Sequence, residues 1–203
     1  MKSKLVFLVI VVVLLGLGAF VFLKTAAGGF SAKAEPTAIE KFAARAARRL
    51  AAPNSLKSRP NLEPNTAEVL AEARDHWADH CATCHANNGG GDTDMGRNMY
   101  PRAPDMRKSD TQDLTDGELF SIIENGIRLT GMPAWGTGTA KSEAASWKLV
   151  RFIRHLPQVS EEEERDMQKM NPRTPAEWQE EKEEEEFLKG GDSHAKPRAH
   201  SQH

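Results

Sequence analysis

An all-α fold is expected for this chain of 203 residues. Three separate runs place apolar residues at three- and four-residue steps, the period of a helix that buries one face. No run alternates apolar and polar residues for long enough to make a sheet strand. At the start of the chain, Leu5 to Leu23 form a block of 19 residues without a charge.

That block is the first element. As a helix rising about 1.5 Å per residue it is about 28 Å long, close to the roughly 30 Å hydrocarbon core of a bilayer. A cleaved signal peptide has a shorter apolar stretch, about 7–15 residues, that ends near a small-x-small site. Ala32-Lys33-Ala34 has that form but lies 11 residues beyond Leu23. An uncleaved, single-pass anchor over residues 1–24, with lipid around residues 5–23, is therefore expected. Lys2 and Lys4 favour a cytoplasmic tip, and Lys24 and Lys33 on the other flank weaken that vote.

Residues 25–64 read as a basic linker. Gly28 and Gly29 precede a helical stretch in which Ile39, Phe42, Ala46 and Leu50 recur at helical spacing. Lys41, Arg45, Arg48 and Arg49 stand opposite part of this set. An amphipathic helix on anionic lipid and a solvated tether both fit the pattern. Prolines at 53, 60 and 64 forbid one long helix.

The globular domain is expected over 65–157. Asn65 or Thr66 can cap a helix behind Pro64, and Leu70, Ala73, Trp77 and Cys81 form its apolar face. The face leads into Cys81-Ala82-Thr83-Cys84-His85, which contains the chain's two cysteines. C-x-x-C-H is the attachment pattern of a c-type haem. Its spacing puts two thiols within reach of the two vinyl groups of one porphyrin, and the next residue's imidazole at the iron. A redox dithiol would want a βαβ setting, and zinc a second ligand pair; neither is present. A glycine-rich loop, 87–91, and an irregular stretch to Asp113 follow. A second helix fits Asp116 to Asn125, stopped by Gly126, and a third fits Ser142 to Leu156 before Pro157. Trp77 and Trp147 are expected to pack between the first and last of these helices.

Helix, haem motif, glycine loop, helix, methionine loop and final helix, in that order, resemble a class I cytochrome c over residues 66–157. The most specific parts are Cys81 to His85 and Asn125-Gly126-Ile127-Arg128-Leu129-Thr130-Gly131-Met132-Pro133-Ala134-Trp135. The latter is similar to the N-G-I-x-x-x-G-M-P signature of bacterial monohaem domains. Ala86 stands where that family often has glycine. The resemblance implies one haem c, bonded through Cys81 and Cys84, with His85 as an axial ligand and the haem domain on the outer face of the cytoplasmic membrane.

Thioether sulphurs at Met95, Met99, Met106 and Met132, and the imidazole of His155, are the candidates for the other axial position. Met132 matches the family's ligand methionine. A His/Met pair raises the potential and leaves no open coordination site, which suits a one-electron carrier. The resemblance also implies that the Pro104 carbonyl accepts from the His85 ring; Trp135, with Arg128 or Arg102, is a candidate hydrogen-bond and charge partner of the propionates. An alternative is a haem enzyme or gas sensor whose methionine ligand is labile or absent.

Residues 158–203 change character. Glu161 to Glu164 and Glu183 to Glu186 flank a segment with Trp178, and His194, His200 and His203 lie in the tail. A disordered acidic extension and a partner-docking one both fit, with Trp178, Phe187 and Leu188 as anchors of the second. Charge is strongly polarised. Residues 1–65 hold 10 Lys/Arg and 3 Asp/Glu, residues 66–157 hold 10 and 13, and residues 158–203 hold 7 and 13. No nucleic-acid partner follows from this. Redox proteins, including a respiratory or photosynthetic membrane complex, are the expected partners.

Overall fold

The computed structural model describes residues 2–27, 31–51, 53–173 and 175–188. Among these it is all-α, without a strand. Helix α1 (Lys2–Ala27) contains the apolar block, and its side chains are exposed along the block rather than covered by protein. It is long and apolar enough to cross a membrane, consistent with a single-pass inner-membrane anchor and an extracytoplasmic haem domain. Helix α2 (Ala38–Ala51) follows, then the one-turn α3 (Asn54–Lys57). Gly28 and Gly29 lie outside the described residues.

Three helices frame the domain: α4 (Ala67–His76), α8 (Asp116–Asn125) and α9 (Ala140–His155). Short turns lie between α4 and α8, namely α5 (Ala82–His85), α6 (Asp94–Arg97) and α7 (Ser109–Gln112). Thr66 caps α4 by accepting from Val69 N–H. Thr115 and Glu118 form a reciprocal capping box on α8, an arrangement worth about 1 kcal/mol. Gly126 ends α8 as the sequence suggests.

The core is built where α4 crosses α9. Ala73 and Trp77 meet Val150, Phe152 and Ile153, all buried. Trp77 lies 5.6 Å from Phe152, ring to ring, so it joins the first and last helices as expected. Trp147 instead stacks on Phe120 of α8 at 4.2 Å and 10°, so its packing partner is the middle helix.

The packed unit is larger than residues 65–157. At its N-terminal side Leu56 packs against the core, and its carbonyl abuts Gly117, where a Cβ would come within 1.8 Å of it. Arg151 holds the carbonyls of Asn61 and Glu63, and Asn61 donates to Trp147 O at 2.9 Å. Residues 54–63 are thus part of the domain surface and not free linker.

At the other side, α10 (Glu161–Gln168) folds back onto the domain. Met167 is wholly buried in the core, and Met170 packs beside it. The Asn171 amide, with its nitrogen turned inward, reaches Met167 O, Ala78 O and Asn87 Oδ1 at 3.0, 3.1 and 2.9 Å. Residues 160–171, within the stretch expected as an acidic, partly disordered or partner-docking extension, therefore pack on the domain. Helix α11 (Pro175–Leu188) does present Trp178, Phe187 and Leu188 to solvent. His194, His200 and His203 lie outside the described residues.

Candidate haem site

Helix α4 delivers the motif. At Trp77 its α-helical ladder loosens into a π turn, Trp77–Cys81, in which Ala82 N–H reaches back five residues to Trp77 O. Such turns interrupt helices frequently at functional sites. The next turn, α5, places Cys84 and His85, and the two cysteines stand half-buried, unbonded to each other. Trp77 locks the exit: its indole N–H donates to Ala86 O at 3.0 Å, and its ring lies 5.7 Å from that of His85.

The protonation states fit haem attachment rather than dithiol redox chemistry. Burial, with Cys84 nearby, pushes the Cys81 thiol up to about 12, and burial also raises Cys84. Neither is the poised thiolate of an oxidoreductase. Burial lowers His85 to about 4, which keeps its imidazole neutral, the form that binds metal. His85 Nδ1 is buried with no hydrogen-bond partner, and it alone among the described side-chain N and O atoms is so. Folded interiors seldom leave such an atom idle. Two thiols on adjacent turns and a neutral, incompletely satisfied imidazole are the donor set a covalent haem takes.

The loop below the motif is tied to it through backbone. Gly91 N–H donates to His85 O at 2.8 Å, Ala103 N–H to Gly96 O at 3.1 Å, and Met106 N–H to Gly89 O at 2.8 Å. Pro104 is therefore carried next to the histidine segment, although no hydrogen bond joins its carbonyl to His85 Nδ1. Thr93 adds a link that sequence reasoning passed over. Its hydroxyl donates to Cys84 O at 3.3 Å and accepts from Gly96 N–H at 2.8 Å.

The methionine loop doubles back on α8. Ile127 N–H donates to Met132 O at 3.1 Å, and Trp135 N–H donates to Ile123 O at 3.0 Å. Gly126 makes this fold possible: it sits at φ +63°, and a Cβ there would lie 2.6 Å from the Pro133 carbonyl carbon. Met132 is half-buried in the turn so formed. Met99 comes from below to the same place, its sulphur lying where a Cβ on Gly131 would be only 2.1 Å away. The remaining candidates stand elsewhere. Met95 is exposed, Met106 packs on the core, and His155 Nε2 pairs with Glu163 at 2.9 Å.

Trp135 is 38% exposed and meets the His80 ring edge-on at 5.6 Å, which ties the methionine loop to the π turn. Of the two arginines weighed for the propionates, Arg102 pairs with Glu35 at 3.0 Å, while Arg128 is exposed.

Fold and site together define a c-type cytochrome haem-binding domain, with one haem c held covalently at Cys81 and Cys84 and used for electron transfer. Residues 68–153 match the family model described as cytochrome c oxidase, cbb3-type, subunit III, and the domain is related to that family. A search of curated proteins gives no match.

Proposed function

We propose that the chain is a membrane-anchored, one-electron relay of the class I type that serves as a subunit of a respiratory oxidase complex, with His85 and Met132 as the two axial ligands. The observation that supports the reading is the contact of the methionine loop with the turn that carries the haem motif, Trp135 against the His80 ring at 5.6 Å. The chain brings a neutral imidazole on a locked turn and a methionine on a turn that Gly126 and the Ile127–Met132 hydrogen bond hold in place. When bound, the haem supplies one-electron exchange at its iron. The protein's part is to keep both ligands in one geometry across that exchange, to exclude water, and to satisfy the second ring nitrogen of His85. The Ala103–Pro104 segment is the proposed acceptor for that nitrogen, and Trp135 a proposed propionate partner. The match to an oxidase subunit family and the α1 anchor support placement in such a complex. Functionally, residues 1–24 anchor, the segment to about 53 spaces, 54–171 carry the haem, and α11 remains free to dock.

The test is the absorption spectrum of the reduced, membrane-expressed protein with and without carbon monoxide. A low-spin c-type spectrum insensitive to carbon monoxide is expected. Met132→Ala should turn it high-spin, whereas Met99→Ala should leave it low-spin. If Met99→Ala alone changes the spin state, the ligand is Met99. Ready carbon monoxide binding by the wild type would replace the relay reading with an enzyme or sensor.

A further inference from the structure

Helix α2 is amphipathic in the reverse sense to the helices of the core. Its polar residues face the protein: Arg45 pairs with Asp110, and Glu40 Oε1 accepts from the Tyr100 hydroxyl at 3.0 Å. Just ahead of the helix, Glu35 pairs with Arg102 at 3.0 Å. Its large apolar residues face outward, with Ile39 and Phe42 exposed by 78% and 74%. In α8 and α9 the corresponding apolar positions are buried. Contacts between exposed polar groups hold little on their own. Helix α2 is thus tied to the domain by its weak side, while Ile39 and Phe42 on its strong side are exposed among the described residues.

Chain geometry names the partner. Only residues 28–37 separate α1 from α2, a reach of about 35 Å even when fully extended. The helix is thus confined to the neighbourhood of the bilayer that α1 crosses. On the helical wheel Lys41, Arg45 and Arg48 lie across from the apolar stripe, and Arg49 falls next to Phe42. An apolar stripe on one side and a polar side rich in Lys and Arg is the pattern of a helix lying in the interface of an anionic membrane.

We propose that α2 lies in the bilayer surface, with Ile39 and Phe42 among the lipid headgroups and upper acyl chains. Through Glu35, Glu40 and Arg45 it holds the haem domain against the membrane in one orientation. The Tyr100–Asp110 loop, which borders the His85 segment, is the part of the domain so held. A tethered carrier becomes an oriented one.

The full chain, haem attached, offers a clean test, because Cys81 and Cys84 are consumed by the haem and an introduced cysteine is the unique thiol. Nitroxide labels are placed at Ile39→Cys, Phe42→Cys and Ala44→Cys, the last on the far side of the helix. Each protein is reconstituted in nanodiscs of phosphatidylcholine and phosphatidylglycerol, 3:1. Oxygen and water-soluble nickel accessibilities are read by power-saturation spectroscopy. Labels at 39 and 42 are expected to be about tenfold less accessible to nickel than the label at 44, with oxygen access retained. Adding Phe42→Asp should return nickel access to the label at 39, with the Soret band unchanged. Equal nickel access at all three positions overturns the proposal. Dipolar broadening between labels at 42 overturns it in favour of a second copy covering the face. Equal shielding in pure phosphatidylcholine overturns the role given to anionic lipid. The inference rests on α1 spanning the bilayer, which co-elution of haem with the discs tests separately.

Discussion

Ala86 shows how one side chain can be read as a strain. It follows His85 directly, at φ +61° and ψ 161°, a region that only glycine enters freely. Its carbonyl is held there by the Trp77 indole, and its N–H by Ala82 O at 2.8 Å, so the conformation is imposed from both sides. The position is the one at which the sequence departs from the glycine common in related haem domains. The Cβ is thus what makes this backbone conformation costly. Ala86→Gly is expected to stabilise the folded domain by about 1 kcal/mol, the net of relieved strain and a floppier unfolded chain. Denaturant unfolding in detergent, followed at the Soret band, reads it. An unchanged or lowered midpoint would mean that residue 86 does not hold a left-handed backbone.

At the scale of elements, α10 is the instructive case. It opens with Glu161 to Glu164, and Ser160 and Glu163 form a capping box, so the segment reads as a solvated helix. One apolar residue of the helix, Met167, does the docking, and it is wholly buried within the core cluster. Met167→Ala is expected to cost about 2–5 kcal/mol, as for other buried methionines. Asn171→Ala should cost less, on the order of 1 kcal/mol for its hydrogen bonds to Ala78 O and Asn87. A thermal melt in which Met167→Ala matches the wild type would detach α10 from the core. Helices α4, α8 and α9 were legible because each has a long apolar period and an end signal: Thr66, Gly126, Pro157. The α10 dock was not, because a four-residue acidic run outweighs a single methionine in any periodic reading. Residues 54–63 were hidden for a different reason. Prolines at 53, 60 and 64 mark irregular chain, and irregular chain looks the same in sequence whether it hangs free or lies in a groove held by Arg59 and Arg151. The haem attachment triad was fully legible, whereas the Thr93 link and the approach of Met99 to Gly131 depend on loop paths that no local pattern encodes.

Across the whole molecule, charge is sorted by distance along the chain from the membrane. The basic excess lies in residues 1–65, next to the anchor, and the acidic excess grows through the haem domain into the extension. Positive charge near anionic lipid and negative charge toward the aqueous side orient the molecule and present an acidic field to whatever exchanges electrons with it. The field has a measurable consequence with small redox probes. Oxidation of the reduced protein by tris(phenanthroline)cobalt(III), a cation, should slow as salt is raised, by about tenfold between 10 mM and 0.5 M, because screening shortens the reach of the attraction. Oxidation by hexacyanoferrate(III), an anion, should speed up over the same range. Removal of residues 172–203, which hold five Lys/Arg and eight Asp/Glu, takes away acidic excess while leaving Met167 and Asn171 in place. The shortened chain should keep its spectrum and midpoint but show shallower salt slopes with both probes. Slopes that do not change on truncation would confine the steering field to the haem domain itself, and would leave α11 with no electrostatic part in meeting a partner.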